Sequence, residues 1–106
     1  MNAPVHTFHS HRESDDNYLG ELHRLGRWRV ALCRDRIQYL LQRQRPGKAG
    51  VGAGWDSVSY CVTQAALLRL WRRDTGDGGE VLARLPERAR MLDLAEWSAR
   101  KPERRK

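Results

Sequence analysis

Nine residues between Arg27 and Lys48 have the types and spacing to hold a polyanion. In a two-strand reading of this stretch, Arg27, Arg29, Gln38 and Gln42 fall on one face. Arginine can pair with guanine and glutamine with adenine in a duplex major groove. Arg34, Arg36, Arg43, Arg45 and Lys48 would then hold phosphates, which fix register without reading sequence. From His23 to Lys48 there are eight Arg or Lys residues against one acid, Asp35, a sum of +7 that equals the net charge of the whole chain. Residues 1–22 sum to −3 and residues 49–106 to +3. The competing role for such a face is structural, since charge on a solvated sheet also discourages edge-to-edge aggregation.

Two other chemistries have residues to offer. His6, His9 and His11 place three imidazoles within six residues, but a zinc site needs a fourth ligand and a structured scaffold. Cys33 and Cys61 are possible nucleophiles, with His23 as a conceivable base. Both lie in expected strands, where a cysteine is more often a small buried apolar group. The acids are scattered over loops and helix exteriors, with no paired carboxylates. The expectation is no catalytic residue, no metal and no cofactor.

The elements that must position the basic residues follow from periodicity. Residues 27–45 alternate, with Trp28, Val30 and Leu32, then Tyr39 and Leu41, on one side. Val30, Cys33, Ile37, Leu40, Leu41 and Gln44 also sit at helical spacings, and a helix would disperse the arginines around a cylinder. Trp, Val, Ile and Tyr favour strands, and Arg34-Asp35-Arg36 supplies a polar break, so the stretch reads as a β-hairpin. With Asp35-Arg36 as the loop, Leu32 faces Tyr39 and Val30 faces Leu41. A two-residue turn of this kind prefers glycine where Arg36 stands.

Pro46 to Gly54 is a glycine-rich connection without the Gly-Lys-Ser/Thr ending of a phosphate loop. Trp55 to Val62 reads as a third strand, Val58, Tyr60 and Val62 alternating against Ser57, Ser59 and Cys61. Thr63 is a good N-cap for a helix over Gln64–Arg73, with Leu67, Leu70 and Trp71 on one face and Gly76 as its C-terminal glycine. A short helical turn follows at Glu80–Leu85. A last helix is expected from Pro86 to about Ala99, with Met91, Leu94, Ala95 and Trp97 as its inward residues. The expected fold class is α+β: a three-stranded antiparallel sheet (hairpin 27–45 plus strand 55–62) packed against two C-terminal helices.

At 106 residues the chain suits one domain. Residues 1–22 read as a mostly disordered N-terminal arm, 23–99 as a single small domain and 100–106 as a basic tail. The pI near 10.2 is compatible with nucleic acid, an anionic membrane surface or an acidic protein. Seventeen of the twenty basic residues are Arg, a bias that GC-rich coding also produces. The first residues lack the basic head and apolar core of a signal peptide, and no apolar run approaches the ~20 residues of a membrane span. The expected setting is cytoplasmic, with free thiols.

The run WRVxLCRDRIQYLLQR, followed by WxSxSYCxTxxALLRL, resembles a family of small uncharacterised proteins of proteobacterial plasmids and integrative elements, over about residues 27–85. Those relatives favour Asp-Gly where this chain has Asp35-Arg36. The order of three strands and a Thr-capped helix is also similar to integrase arm-site-binding and AP2-like domains, and that likeness implies reading DNA with the sheet. The functional expectation is a non-enzymatic accessory protein of a mobile element that binds nucleic acid, DNA in the first instance, through a basic sheet face. The alternative is a protein-interaction module, such as a small inhibitor of a host defence or regulatory protein with an acidic surface.

Overall fold

The computed structural model describes residues 9–46 and 54–100. Four strands, β1 (Glu21–Leu25), β2 (Trp28–Leu32), β3 (Tyr39–Gln44) and β4 (Trp55–Cys61), form one antiparallel sheet in chain order. Two helices, α1 (Gln64–Thr75) and α2 (Leu94–Arg100), follow. The class is α+β, and the sheet has one strand more than the three expected. The added strand is β1, joined to β2 through Gly26, whose φ of 62° is a left-handed conformation that glycine adopts at little cost.

The β2–β3 register is the one read from the sequence: Leu32 pairs with Tyr39, Val30 with Leu41 and Trp28 with Arg43. The turn is longer than two residues. The Arg36 N–H donates to the Cys33 carbonyl and the Cys33 N–H to the Gln38 carbonyl, both at 2.9 Å, so residues 34–37 form the loop. Arg36 takes φ 63° where glycine would be preferred, a conformation that costs an L-residue on the order of 1 kcal/mol.

Val30, Leu32, Tyr39 and Leu41 face the helices and share the main core with Leu22, Cys61, Leu67, Trp71 and Leu82. Trp28 is half-buried at its margin. A bulge between Glu21 and His23 brings Leu22 into this core. Thr63 caps α1, its Oγ1 accepting from the Ala66 N–H at 3.2 Å, and Gly76 closes the helix in the left-handed conformation. Just beyond, the Asp77 carboxylate accepts from Trp71 Nε1 and the Gly79 N–H. Those two donors, the indole first, hold its carboxyl below the usual carboxylate range.

The C-terminal region departs from a single helix running from Pro86. The Ala89 N–H donates to the Val62 carbonyl, and Arg88 bridges to Thr63, which ties this stretch to the end of β4 in extended form. Single 3₁₀ turns at Leu82–Arg84 and Ala89–Met91 precede α2. The Asp93 carboxylate then accepts from the Glu96 N–H, so α2 starts at Leu94. Leu94 is buried and Trp97 half-buried as expected, with Trp97 Nε1 donating to the Leu22 carbonyl. Met91 and Ala95 are exposed, contrary to expectation, because neither lies on the buried side of a continuous helix.

Residues 9–22 are not the free arm that the composition suggested. Residues 9–20 fold back over the sheet face opposite the helices, and Glu21 and Leu22 belong to β1. Tyr18 is buried against Ala31, Cys33 and Leu40, and its hydroxyl donates to the Leu32 carbonyl at 2.6 Å. Burial is the main cause pushing the Tyr18 phenol up to about 12. Gly20 lies so close beneath that a Cβ there would stand 2.6 Å from the Leu32 carbonyl oxygen. Residues 1–8 and 101–106, including most of the expected basic tail, lie outside the described residues, as does the glycine-rich connection at 47–53.

Candidate nucleic-acid interface

Strand alternation places Arg29 and Gln42 side by side on the face away from the helices, as the sequence indicated, and the register pairs them directly. That face is not open. Arg29 is fully buried and Gln42 nearly so. Arg29 uses all five of its N–H donors: Nε on Gln42 Oε1 at 2.6 Å, Nη1 on the Asp16 carbonyl and Glu21 Oε1, and Nη2 on the carbonyls of Glu13 and Asp15. Gln42 Nε2 donates to the Glu13 carbonyl and Ser57 Oγ. The guanidinium stands 4.5 Å from the Trp55 ring centroid, and that of Arg24 stands 4.9 Å away. Trp55 in turn donates its indole N–H to Asp16 Oδ1 at 3.0 Å and its backbone N–H to the Ser14 carbonyl.

Arg29 is therefore a fastener for residues 13–16 and not a reader of base edges. Burial lowers its pKa, and the nearby Glu21 carboxylate acts in the opposite direction. A buried guanidinium is stable only when paired and hydrogen-bonded, and the ion pair with Glu21 at 3.0 Å meets that need. Arg24 shares the same carboxylate at 2.6 Å and also pairs with Asp16.

The other residues of the expected interface are distributed differently. Arg34 and Arg36 are exposed in the β2–β3 loop. Gln38 is half-buried beside them. Arg27 lies in the β1–β2 turn at the opposite end of the sheet. Arg43 stands over the half-buried Trp28, 5.6 Å from its ring centroid, and is itself exposed. Arg45 pairs with Asp56 at 2.9 Å in solvent. Lys48 lies outside the described residues. The two ends of the sheet are roughly 17 Å apart for strands of about five residues, so Arg34 and Arg36 form one cluster and Arg27 and Arg43 another.

Several residues of this surface were missing from the sequence reading. Arg12 is exposed and makes no ion pair among the described residues, and Tyr60 projects from β4 with 60% of its surface exposed. The third-strand alternation is inverted with respect to burial. Trp55 and Cys61 are buried, while Val58, Tyr60 and Val62 are exposed. A bulge between the Leu41 and Gln42 pairings leaves Val58 without a partner, and Tyr60 pairs with Leu40 on the outer side. The signal for Arg12 was its place in an arm whose four acids complement the basic hairpin.

The remaining chemistries gain no geometry. Among the described residues no three His, Cys, Asp or Glu side chains are placed to hold a metal, and His6 lies outside them. Cys33 and Cys61 are buried free thiols, and burial raises the pKa of Cys61, which disfavours the nucleophilic thiolate. The Cys33 sulfur accepts from the Ile37 N–H at 3.4 Å. The His23 ring lies 5.7 Å from that of Trp71. Among the described residues no helix is long and apolar enough to cross a membrane.

Comparison of the chain with protein-family models, curated proteins and solved structures finds no match. The functional reading accordingly starts from the charge and geometry above.

Proposed function

We propose that the protein is a non-enzymatic, cytoplasmic accessory protein of a bacterial mobile element that binds nucleic acid. The mobile-element part rests on the resemblance of residues 27–85. Nucleic-acid binding rests on where unpaired charge remains after the fold has used its acids. Residues 54–100 carry seven Arg and seven Asp or Glu, so the helical part is balanced. In residues 9–46 the acids Asp16 and Glu21 are spent on Arg24 and Arg29. Arg12, Arg27, Arg34, Arg36 and Arg43 are exposed and make no ion pair among the described residues. This surface suits phosphate contact, the sequence-independent term that dominates affinity. Base readout by Arg29 and Gln42 has no part in it.

The test is fluorescence anisotropy with labelled nucleic acid at several salt concentrations, beside a variant carrying Arg27, Arg34, Arg36 and Arg43→Ala. The expected outcome is affinity that falls steeply with salt, with a log–log slope shallower by up to about 3.6 in the variant on duplex DNA. Absence of binding at low salt, or an unchanged slope in the variant, overturns the reading.

The edge strand favours a second reading, a protein-interaction module. Among the described residues β4 pairs only with β3, and Ser57 to Val62 contains no charged residue, whereas natural edge strands are commonly protected by charge. An added strand from a partner would find backbone donors and acceptors there, with Val58 and Val62 beside them. A stoichiometric protein partner that survives nuclease treatment and is lost with Val58→Lys supports this reading. Retention by the variant counts against it.

A further inference from the structure

We infer that the hollow around Tyr60 takes a single-stranded nucleic-acid chain, with one base on the phenol ring and adjacent phosphates on Arg12, Arg34 and Arg45. The inference rests on the nucleic-acid reading above and names the form of nucleic acid that the site selects. Residues 9–20 cover the outer face over β2, β3 and Trp55 at the start of β4, and stop short of the β4 margin around Tyr60. At that margin a hollow of about 380 Å³ remains, within the usual range for small-ligand sites. Three arginines from three separate segments border it: Arg12 from the covering arm, Arg34 from the β2–β3 loop and Arg45 from the end of β3.

The carboxylates beside these arginines are already engaged. Glu13 Oε2 accepts from the backbone N–H of Arg34 at 2.7 Å, and Asp56 Oδ1 accepts from Arg45 Nε at 2.9 Å. The terminal nitrogens of Arg45 make no hydrogen bond among the described residues, nor do the guanidinium groups of Arg12 and Arg34. Among the described residues Tyr60 is the one aromatic residue on the outer face that the arm leaves exposed; Tyr18 and Trp55 on the same side are buried.

An exposed ring among guanidinium groups suits a strand whose bases are free to leave their own stack. In a duplex the base faces are covered by neighbouring pairs, and only edges and phosphates remain for a protein. Single strands offer a π-face at every nucleotide, and stacking on an aromatic side chain tolerates any sequence. The expected specificity is therefore for strandedness and not for sequence.

The experiment compares fluorescein-labelled homopolymer single strands, DNA and RNA, with a duplex of equal length, using the full chain. The expected result is tighter binding of single strands. Tyr60→Ala should weaken single-strand binding roughly 5- to 100-fold and leave duplex binding unchanged, while Tyr60→Phe retains it. Because Tyr60 is exposed, circular dichroism should show both variants folded; Arg45→Ala gives a second check that spares the ring and should weaken single-strand binding. Equal affinity for the two forms, or indifference to Tyr60→Ala while the four-arginine variant loses binding, overturns this inference and leaves the proposed function standing. No binding to either form overturns both.

Discussion

The two faces of the sheet are made from the same strands and buried by different physics. On the helix side, Val30, Leu32, Tyr39 and Leu41 meet Leu67, Trp71 and Leu82, and burial removes apolar surface from water. On the outer side a small apolar cluster of Tyr18, Ala31, Cys33 and Leu40 adjoins a fully buried arginine, three of whose five donors hold the covering chain by its carbonyls. A helix can be recruited to any apolar face. The outer cover is directional, because each carbonyl of residues 13, 15 and 16 must arrive within hydrogen-bond distance of one guanidinium. Charge on a strand is thus poor evidence of a solvated face when an acidic segment stands nearby in sequence.

The largest expected effect that separates the faces is Arg29→Ala. It leaves Gln42 Oε1 without its donor. It also takes one donor each from Glu21 and from the carbonyls of residues 13, 15 and 16, which keep Arg24, Gln42 and the Tyr18 N–H. Breaking a buried ion pair of this kind costs about 3–5 kcal/mol. Urea unfolding should report that loss, and amide exchange should show protection falling first in residues 9–20. Leu41→Ala on the other face should cost about 2–5 kcal/mol without selective exposure of the arm. A loss below about 1 kcal/mol for Arg29→Ala would mean that Tyr18, Gln42 and Trp55 hold the cover without it.

A smaller effect is tied to pH. Tyr18 under the arm and Tyr39 in the main core both have phenols raised from 10.0 to about 12, chiefly by burial. A raised acid of this kind lends stability that is whole below pH 10 and is lost as pH rises through the folded value. Shifts of this size correspond to about 2–3 kcal/mol for each group. Unfolding midpoints measured between pH 9 and pH 12 should fall, and should fall less steeply in Tyr18→Phe and in Tyr39→Phe. An alkaline limb unchanged in either variant would show that its phenol ionises without opening the fold. The Tyr39 hydroxyl donates to the Pro86 carbonyl at 2.7 Å, so Tyr39→Phe also loosens the tie between sheet and C-terminal region.

The smallest effect concerns the turn that both faces share. Arg36→Gly relieves the left-handed conformation and should raise stability by up to about 1 kcal/mol. The same change removes one exposed arginine, so affinity for nucleic acid should drop slightly as the melting temperature climbs. A lower melting temperature would show that the Arg36 side chain contributes more than its backbone costs.

What the sequence made legible was local. The Thr63 cap, the Gly76 terminator and the pairing of Leu32 with Tyr39 depend on residues close in the chain. So does the inward set of β2 and β3. β1 was missed because the bulge at Leu22 spoils its alternation, although Gly26 between Leu25 and Trp28 marked a turn. The arm was missed for a deeper reason: Arg29 holds it largely by backbone carbonyls, which every residue possesses. The outward direction of Arg29 and Gln42 was correctly read, but alternation cannot report what lies on top of a face. Met91 was misplaced because the tie between Ala89 and Val62 interrupts a pattern that otherwise continues as helix.

The hydrogen bond from the Trp55 N–H to the Ser14 carbonyl has a consequence for the order of assembly. During synthesis residues 9–20 leave the ribosome well before β4, so this last tie of their cover forms only once Trp55 has emerged. The acceptors of Arg29 all precede Trp55 in the chain, so the guanidinium can gather residues 13–16 before the Trp55 indole and backbone close over them. Completion of the outer face, though not its start, thus waits for translation of the last strand.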